Sequence, residues 1–424
     1  MGKERKLFSV LCYLVIMFLT TGYSSMVRAE EKNSCIKCHA ELKDKLAAPV
    51  KDWSQSVHKE VRVSCEDCHG GNPQSILETE AKAKAAGYIG KSRIEDIPAL
   101  CAKCHADIKK MRQYNIRTDQ YAEYLTSVHG RLLIEKGDTR VATCVSCHST
   151  HEIRRKSDPL ATVYHTNVPE TCGRCHSNQA RMQPYNIPTN QLALYKESYH
   201  GQILYGKIPD KNPALAPNCA TCHGIHGATP PGVSEVPNVC GNCHSVTANA
   251  FKEGPHYIAL EEAGAPRCVD CHSNHKIIFP SLAMFDGSEE GHCGMCHSED
   301  DARSYGKGQE IKKALATALK AIEQGEEGVK EAESAGRNID DLSTNLEKAH
   351  NDIVQATTLI HTLNPKTVGD LTQSAIAKIE GISQVAEQVR NDLRIRKRAL
   401  AFFIAWIFLA AGLLYFKHRS LTKE

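Results

Sequence analysis

Cys35-Ile36-Lys37-Cys38-His39 is the first of nine copies of Cys-x-x-Cys-His in this chain. The others are Cys65, Cys68 and His69; Cys101, Cys104 and His105; Cys144, Cys147 and His148; Cys172, Cys175 and His176; Cys219, Cys222 and His223; Cys240, Cys243 and His244; Cys268, Cys271 and His272; and Cys293, Cys296 and His297. Two thiols at this spacing reach the two vinyl groups on one edge of a porphyrin, while the next imidazole turns beneath the ring to bind iron. Each copy therefore reads as a haem c attachment site, and the cofactor expected is nine covalently bound haems. Structural zinc would recruit a second ligand pair at finger or ribbon spacing, and neither zinc nor a disulfide framework needs a histidine after every second cysteine. Of the 19 cysteines only Cys12 lies outside the motifs, in an N-terminal apolar run.

Twelve of the 21 histidines stand outside the motifs. His350, His361 and His418 fall in a later helical segment or tail, where a solvated surface histidine is the default. Nine remain for nine irons: His58, His129, His151, His165, His200, His226, His256, His275 and His292. That balance predicts two imidazoles on every iron, a low-spin arrangement closed to substrate and suited to electron transfer. His165 and His292 have no repeated counterpart. Asn72 stands where later copies carry a histidine three residues after the motif, which leaves a Met ligand or an open position on at least one iron as the alternative.

The segment from Met111, MRQYNIRTDQYAEYLTSVHG, returns at Met182 as MQPYNIPTNQLALYKESYHG. A unit has been copied. Four units follow: His58 with the motifs at Cys65 and Cys101, His129 with Cys144 and Cys172, His200 with Cys219 and Cys240, and His256 with Cys268 and Cys293. The Cys35 motif precedes them. This stretch is rich in Gly, Pro and Asn and has about thirty residues per motif, so the porphyrins must supply much of the buried apolar area. The fold class expected is mainly α with extensive loops: an array of tandem two-haem units at 30–304, then a helical hairpin stalk and one transmembrane helix.

Residues 305–398 change character. Apolar positions from Ile339 to Leu363 alternate steps of three and four, and a second series runs from Val368 to Leu393, with Pro365 between them. This predicts an antiparallel hairpin, with Gly325, Gly328 and Gly336 weakening its approach. It serves as a spacer or as an interface for a partner or second copy, and is expected only to tether the array. Residues 399–416 form an unbroken apolar run of 18 residues, about 27 Å as a helix, enough to cross a hydrocarbon core. Residues 417–424 form a short basic tail, taken as cytoplasmic.

Residues 1–29 have the form of a secretory signal, with Lys3, Arg5 and Lys6 ahead of an apolar stretch and Val27-Arg28-Ala29 at the end. Export suits covalent haem attachment, which occurs outside the bacterial cytoplasm, and the haem domain is expected in the periplasm at the inner membrane. The formal charge of +3 falls to zero without this segment. Eighteen haem propionates would then make the protein acidic, which argues against nucleic acid as a partner.

On the nine motifs, on His148/His151, His223/His226 and His272/His275, and on Ser127-Val128-His129-Gly130 with Tyr199-His200-Gly201, the chain resembles bacterial respiratory multihaem c-type cytochromes. The resemblance is to class III cytochromes and to NapC/NirT-like proteins, across residues 35–297. It implies closely packed haems carrying electrons between the quinone pool and periplasmic or extracellular acceptors. NapC/NirT-like proteins hang from an N-terminal helix, whereas this anchor is C-terminal. The implied partners are therefore a membrane quinol-oxidising subunit and periplasmic redox proteins. The alternative is an oxidoreductase acting on a small nitrogen or sulfur compound at one open haem. All nine motifs end in histidine, which favours the relay and assigns no catalytic residue.

Overall fold

The computed structural model describes residues 33–228, 239–263, 266–277, 279–287 and 292–421. The expected signal segment and Cys12 lie outside them. Every regular element among the described residues is an α- or 3-10 helix. The chain forms two compact units: one runs to Val236 and takes in His275–Ile277, and the other comprises Pro237–Asn274 and Ile278–Glu424. The division thus passes through the motif-bearing segment, and the last three motifs, at Cys240, Cys268 and Cys293, group with the long helices that follow them.

The first unit is made of short helices. Those at Cys65–His69, Cys144–His148 and Cys219–His223 have five residues each, too few to persist alone. Local capping holds them. The backbone N–H groups of Ser64, Thr143 and Asn218 donate to the side chains of Asp67, Ser146 and Thr221 at 2.7, 3.0 and 3.1 Å. The next motifs of the first two units lie instead at the ends of longer helices, Ile97–His105 and Val168–His176, each entered through a proline in its first turn.

The second unit repeats the five-residue form at Cys268–His272, where Arg267 N–H donates to Asp270 at 2.6 Å. Its bulk is three long helices, Tyr305–Ser334, Asp340–Leu359 and Pro365–Leu421. The expected hairpin is the second and third of these. Tyr305–Ser334 joins it as a full partner, which the glycines had obscured. Gly325 and Gly328 do not weaken a free arm; they face Ile379 and Ile382 at the helix contact. Ala318, Ile322, Ala349, Ile353, Ala375, Ile379, Ile382 and Val389 form one buried core along the bundle. A second cluster at its top joins Ile311, Leu315, Ala356 and Val368 to Phe285, with Cys293 packed against it.

The third helix carries the apolar run. Its most hydrophobic window has mean hydropathy 2.3, and none of that window is buried in the protein. It is therefore long and apolar enough to cross a membrane, and this chain offers it no core to enter.

Replacing Ile382, fully buried in the bundle, by alanine should cost about 2–5 kcal/mol in unfolding free energy. The same truncation at Val354, 63% exposed, should stay within about 0.5 kcal/mol. Denaturation of the detergent-solubilised protein, followed by helical circular dichroism, checks both.

Candidate haem centres

Three of the histidines outside the motifs are placed by the same local device. Ser56, Ser127 and Ser198 cap the helices Val57–Glu60, Val128–Lys136 and Tyr199–Leu204, which puts His58, His129 and His200 at the second helical position. The cap hydroxyls accept from the N–H groups of Lys59, Gly130 and Gly201 at 3.3, 2.9 and 3.0 Å. All three serines are at most 1% exposed. Two tyrosines tie these helices to the following motif: Tyr124 and Tyr195 donate to the carbonyls of Ala142 and Pro217, just ahead of the caps Thr143 and Asn218, at 2.9 and 2.8 Å.

The result is a set of opposed imidazoles. His58 faces His105, with ring centroids 6.2 Å apart; His129 faces His176 at 6.1 Å, and His256 faces His297 at 6.1 Å. The histidines that follow a motif by three residues reach back one unit. His151 faces His69 at 6.3 Å, His226 faces His148 at 6.3 Å, and His275 faces His223 at 6.0 Å. His272 faces His361 at 6.1 Å.

These separations test the fit of the cofactor. Two metal–nitrogen bonds of about 2 Å, with half an imidazole beyond each, span about 6 Å between ring centres. The histidines therefore come in pairs with room for one iron between them. Among the described residues no group of three or more His, Cys, Asp or Glu gathers as a metal site, as zinc would need. The 18 described cysteines are free thiols, available for thioether bonds.

Burial shapes the electrostatics. Desolvation is the largest influence on His58, His105, His129, His151, His176, His226, His256, His272 and His275, and lowers the pKa of each. His148 is pushed down to about 4, mainly by burial and then by His226. All are thus held in the neutral form that binds metal. The tautomer is set at His69, whose Nδ1 lies 2.8 Å from the carbonyl of Gly90: a carbonyl only accepts, so Nδ1 carries the proton and Nε2 keeps its lone pair.

Successive motifs approach one another through their thiols. Cys65 feels the charge of Cys35, and Cys68 that of Cys104. Cys101 shares a hydrogen bond with Cys144, Cys172 with Cys219, and Cys268 with Cys240. Cys147 lies within reach of Cys172 and Cys175, and Cys271 within reach of Cys293 and Cys296. Motif order along the chain is therefore spatial order within each unit.

The two motifs of the third copied unit differ in form. Cys222 sits inside the capped Cys219–His223 helix, half-buried, close enough to Tyr195 to help push that phenol's pKa up after burial has done so. The next motif is built differently from its counterparts in the first two copied units. The helices of the corresponding motifs in the first two units run through to His105 and His176, whereas this one, Cys240–Cys243, stops one residue short. Cys243 is exposed at its end, and His244 stands outside it with non-helical backbone, φ −96° and ψ 48°. The His244 N–H still donates to the Cys240 carbonyl, at 2.9 Å, and its carbonyl accepts from Ala248 N–H at 2.9 Å. The physical reason is the fold-back of the next helix, Ser245–Glu253, onto the motif: a Cβ at Gly241 would stand 3.1 Å from that of Ala248. His244 lies near enough to His272 for its charge to lower that imidazole's pKa, behind burial, His361 and His292.

Other candidates are placed differently. His165 has both ring nitrogens engaged, Nε2 at 2.8 Å from the Ala216 carbonyl and Nδ1 at 3.3 Å from the Asn218 amide. In this arrangement His165, one of the expected ligands, buttresses the cap of the Cys219–His223 helix. His292 has a buried Nδ1 without a hydrogen-bond partner. His39 has its Nδ1 3.1 Å from the Leu46 carbonyl. The turn after the Cys65 motif does reach the Cys35 motif, since Ser34 N–H donates to Pro73 at 2.8 Å, but it carries Asn72 there. Sequence reasoning missed His361, having assigned it to a solvated helix surface. His350, given the same default, is half-exposed beside Glu326.

Residues 57–177 match the family described as cytochrome c3, and residues 19–70 the family described as cytochrome c554 and c-prime. The multiheme cytochrome MtrA of Shewanella baltica (strain OS185) is 21% identical over 265 residues, 57% of this chain and 76% of that protein. No solved structure matches the chain. The c3 match spans the opposed pairs His58/His105, His69/His151 and His129/His176. Together with the motifs, these findings make the chain a multihaem c-type cytochrome carrying covalently bound haem c.

Ser127→Ala removes a fully buried cap and should destabilise the protein by about 1–2 kcal/mol. Denaturant titration followed at the Soret band measures this. Ser54, whose hydroxyl donates only to the exposed Lys51 carbonyl, should tolerate the same change within about 0.5 kcal/mol.

Proposed function

We propose that this chain is a membrane-anchored periplasmic electron relay with nine haems, carrying electrons between the quinone pool, through a membrane partner, and periplasmic or extracellular acceptors in anaerobic respiration. The observation that carries the reading is the succession of neighbouring motifs: Cys101 is hydrogen-bonded to Cys144 and Cys172 to Cys219, a thiol of one motif to a thiol of the next. Haems attached there would stand edge to edge, with imidazoles on both faces that change little on reduction. Cys222 and Cys243 hold their haems beside Cys219 and Cys240, and His244 binds iron in spite of its place beyond the helix end. The repeated histidines act as distal ligands; His200, at the copied place of His129, takes the same duty.

The third long helix supports a partner at the membrane. At 1.5 Å per residue the apolar run begins about 50 Å along the helix from Pro365, and the packed top of the bundle lies at that far end. The haems of the second unit would stand well clear of the bilayer. A quinol-oxidising subunit would then deliver the electrons, with the haem domain on the periplasmic side.

Electron paramagnetic resonance of the oxidised protein, with intact mass, tests the reading. Nine haem masses and a low-spin spectrum are expected, and His129→Ala should turn one haem high-spin. Seven or fewer haems, or an unchanged spectrum in that variant with no replacement ligand, would overturn it.

A second reading rests on Asn72. Its carbonyl oxygen accepts from Gln74 N–H at 3.0 Å, it stands three residues after its motif as His151, His226 and His275 do after theirs, and its turn reaches the Cys35 motif through the Ser34 N–H that donates to Pro73. The haem at Cys35–His39 would then be the one to keep an exchangeable position, as an oxidoreductase for a small nitrogen or sulfur compound requires. A high-spin signal that shifts with nitrite or cyanide, and disappears in Asn72→His, is the expected mark of that site. Indifference of the spectrum to both ligands would leave the relay alone.

A further inference from the structure

We infer that His361, at the tip of the stalk, is the sixth ligand of the haem attached at Cys268 and Cys271, so that the helical bundle is part of the haem fold and not only its tether. The inference rests on the haem c reading of the Cys268 motif.

Three independent features place this histidine. The first is its partner. His361 and His272 have ring centroids 6.1 Å apart, within the 6.0 to 6.3 Å range of the six pairs built from motif-bearing segments. The interplanar angle of 33° also falls within their spread, 11° to 57°.

The second is its tautomer. Nδ1 of His361 lies 3.0 Å from the carbonyl of Thr358, one turn back. Since that oxygen can only accept, Nδ1 holds the proton and Nε2 is left with its lone pair, the state found at the motif residue His69. A solvated surface histidine needs no such fixing.

The third is the docking of the turn that carries it. Residues Ile360–Thr362 form a 3-10 turn closed by Leu363 in the left-handed region, φ 50°. The backbone of this turn lies so close to Gly254 that a Cβ there would stand 2.4 Å from the His361 carbonyl oxygen. Gly254 precedes Pro255-His256 and ends the helix Ser245–Glu253, so the tip of the hairpin is seated on the segment that presents His256 to His297. From below, Ile360 packs on the cluster of Phe285, Ile311, Leu315, Ala356 and Val368.

The repeat explains why a stalk residue is used. The haem of each unit's first motif is faced by a histidine of the following unit: His69 by His151, His148 by His226, His223 by His275. The fourth unit has no successor. His361 supplies from the hairpin what a fifth unit would have supplied, and closes the series. Folding of the bundle and completion of this iron's coordination are then one event.

The test is His361→Ala in the full-length, detergent-solubilised holoprotein, read by electron paramagnetic resonance and intact mass. Haem mass should be unchanged while one haem equivalent passes from low to high spin, and added imidazole should restore it. His350→Ala should change neither. A full low-spin count in His361→Ala, unaltered by cyanide or imidazole, would overturn the assignment. Should alanine cost the haem itself, His361→Met decides: a thioether-to-iron charge-transfer band and a raised potential for one haem are expected, and a spectrum identical to the wild type would overturn it. A protein lacking haem at every motif would refute the haem reading instead, which the mass separates from failure of the ligand assignment.

Discussion

Everything in the motif-bearing region depends on one recurring contact, two imidazoles whose ring centres are held about 6 Å apart, the span that one iron between them requires. One histidine of each pair belongs to an attachment motif and is local to its thiols. The other comes from a different turn of the chain, so a haem bound between them would join two separate segments. Apolar side chains beside the motifs are left widely exposed by the polypeptide itself: Leu160 is 73% exposed, Leu215 82% and Ile225 73%. A porphyrin face is the apolar partner such positions lack.

The helical bundle obeys the opposite rule. Its three helices bury Ile311, Leu315, Ala375, Ile382 and Val389 almost completely, with no cofactor needed to complete the core. The two kinds of core meet at Phe285 and Cys293, where the last motif packs on the top of the bundle. Gln309 donates to the Phe285 carbonyl at 2.7 Å, and Lys312 pairs with Asp286 beside it. Within the second unit, the bundle's core and the last motif thus share one packed boundary.

This arrangement bears on how the protein works. An electron relay needs its centres close and its ligands rigid, and buried serine caps and tyrosine ties set the histidines to that end. Burial favours the neutral form of these imidazoles, which is the form that binds metal.

The attachment motifs, the copied unit, the mainly helical class and the apolar run were all legible in the sequence, because each is a local pattern: thioether chemistry reads five adjacent residues, and helix burial reads a period of three to four. Partner choice was not legible. The repeat says that His129 and His200 do the same job, but not that His151 serves the motif of the unit before its own. Nor does it show that the helix bearing Cys243 ends ahead of His244, which follows from how the next helix folds back. Nor does the sequence show that His165 lies against Ala216 and Asn218, which engage both its nitrogens. His361 was discounted because it lies in a segment of stalk character, 89 residues from His272 along the chain. Axial pairing is a contact between distant segments, decided by which turns pack together, and only the tertiary structure brings those turns to one place.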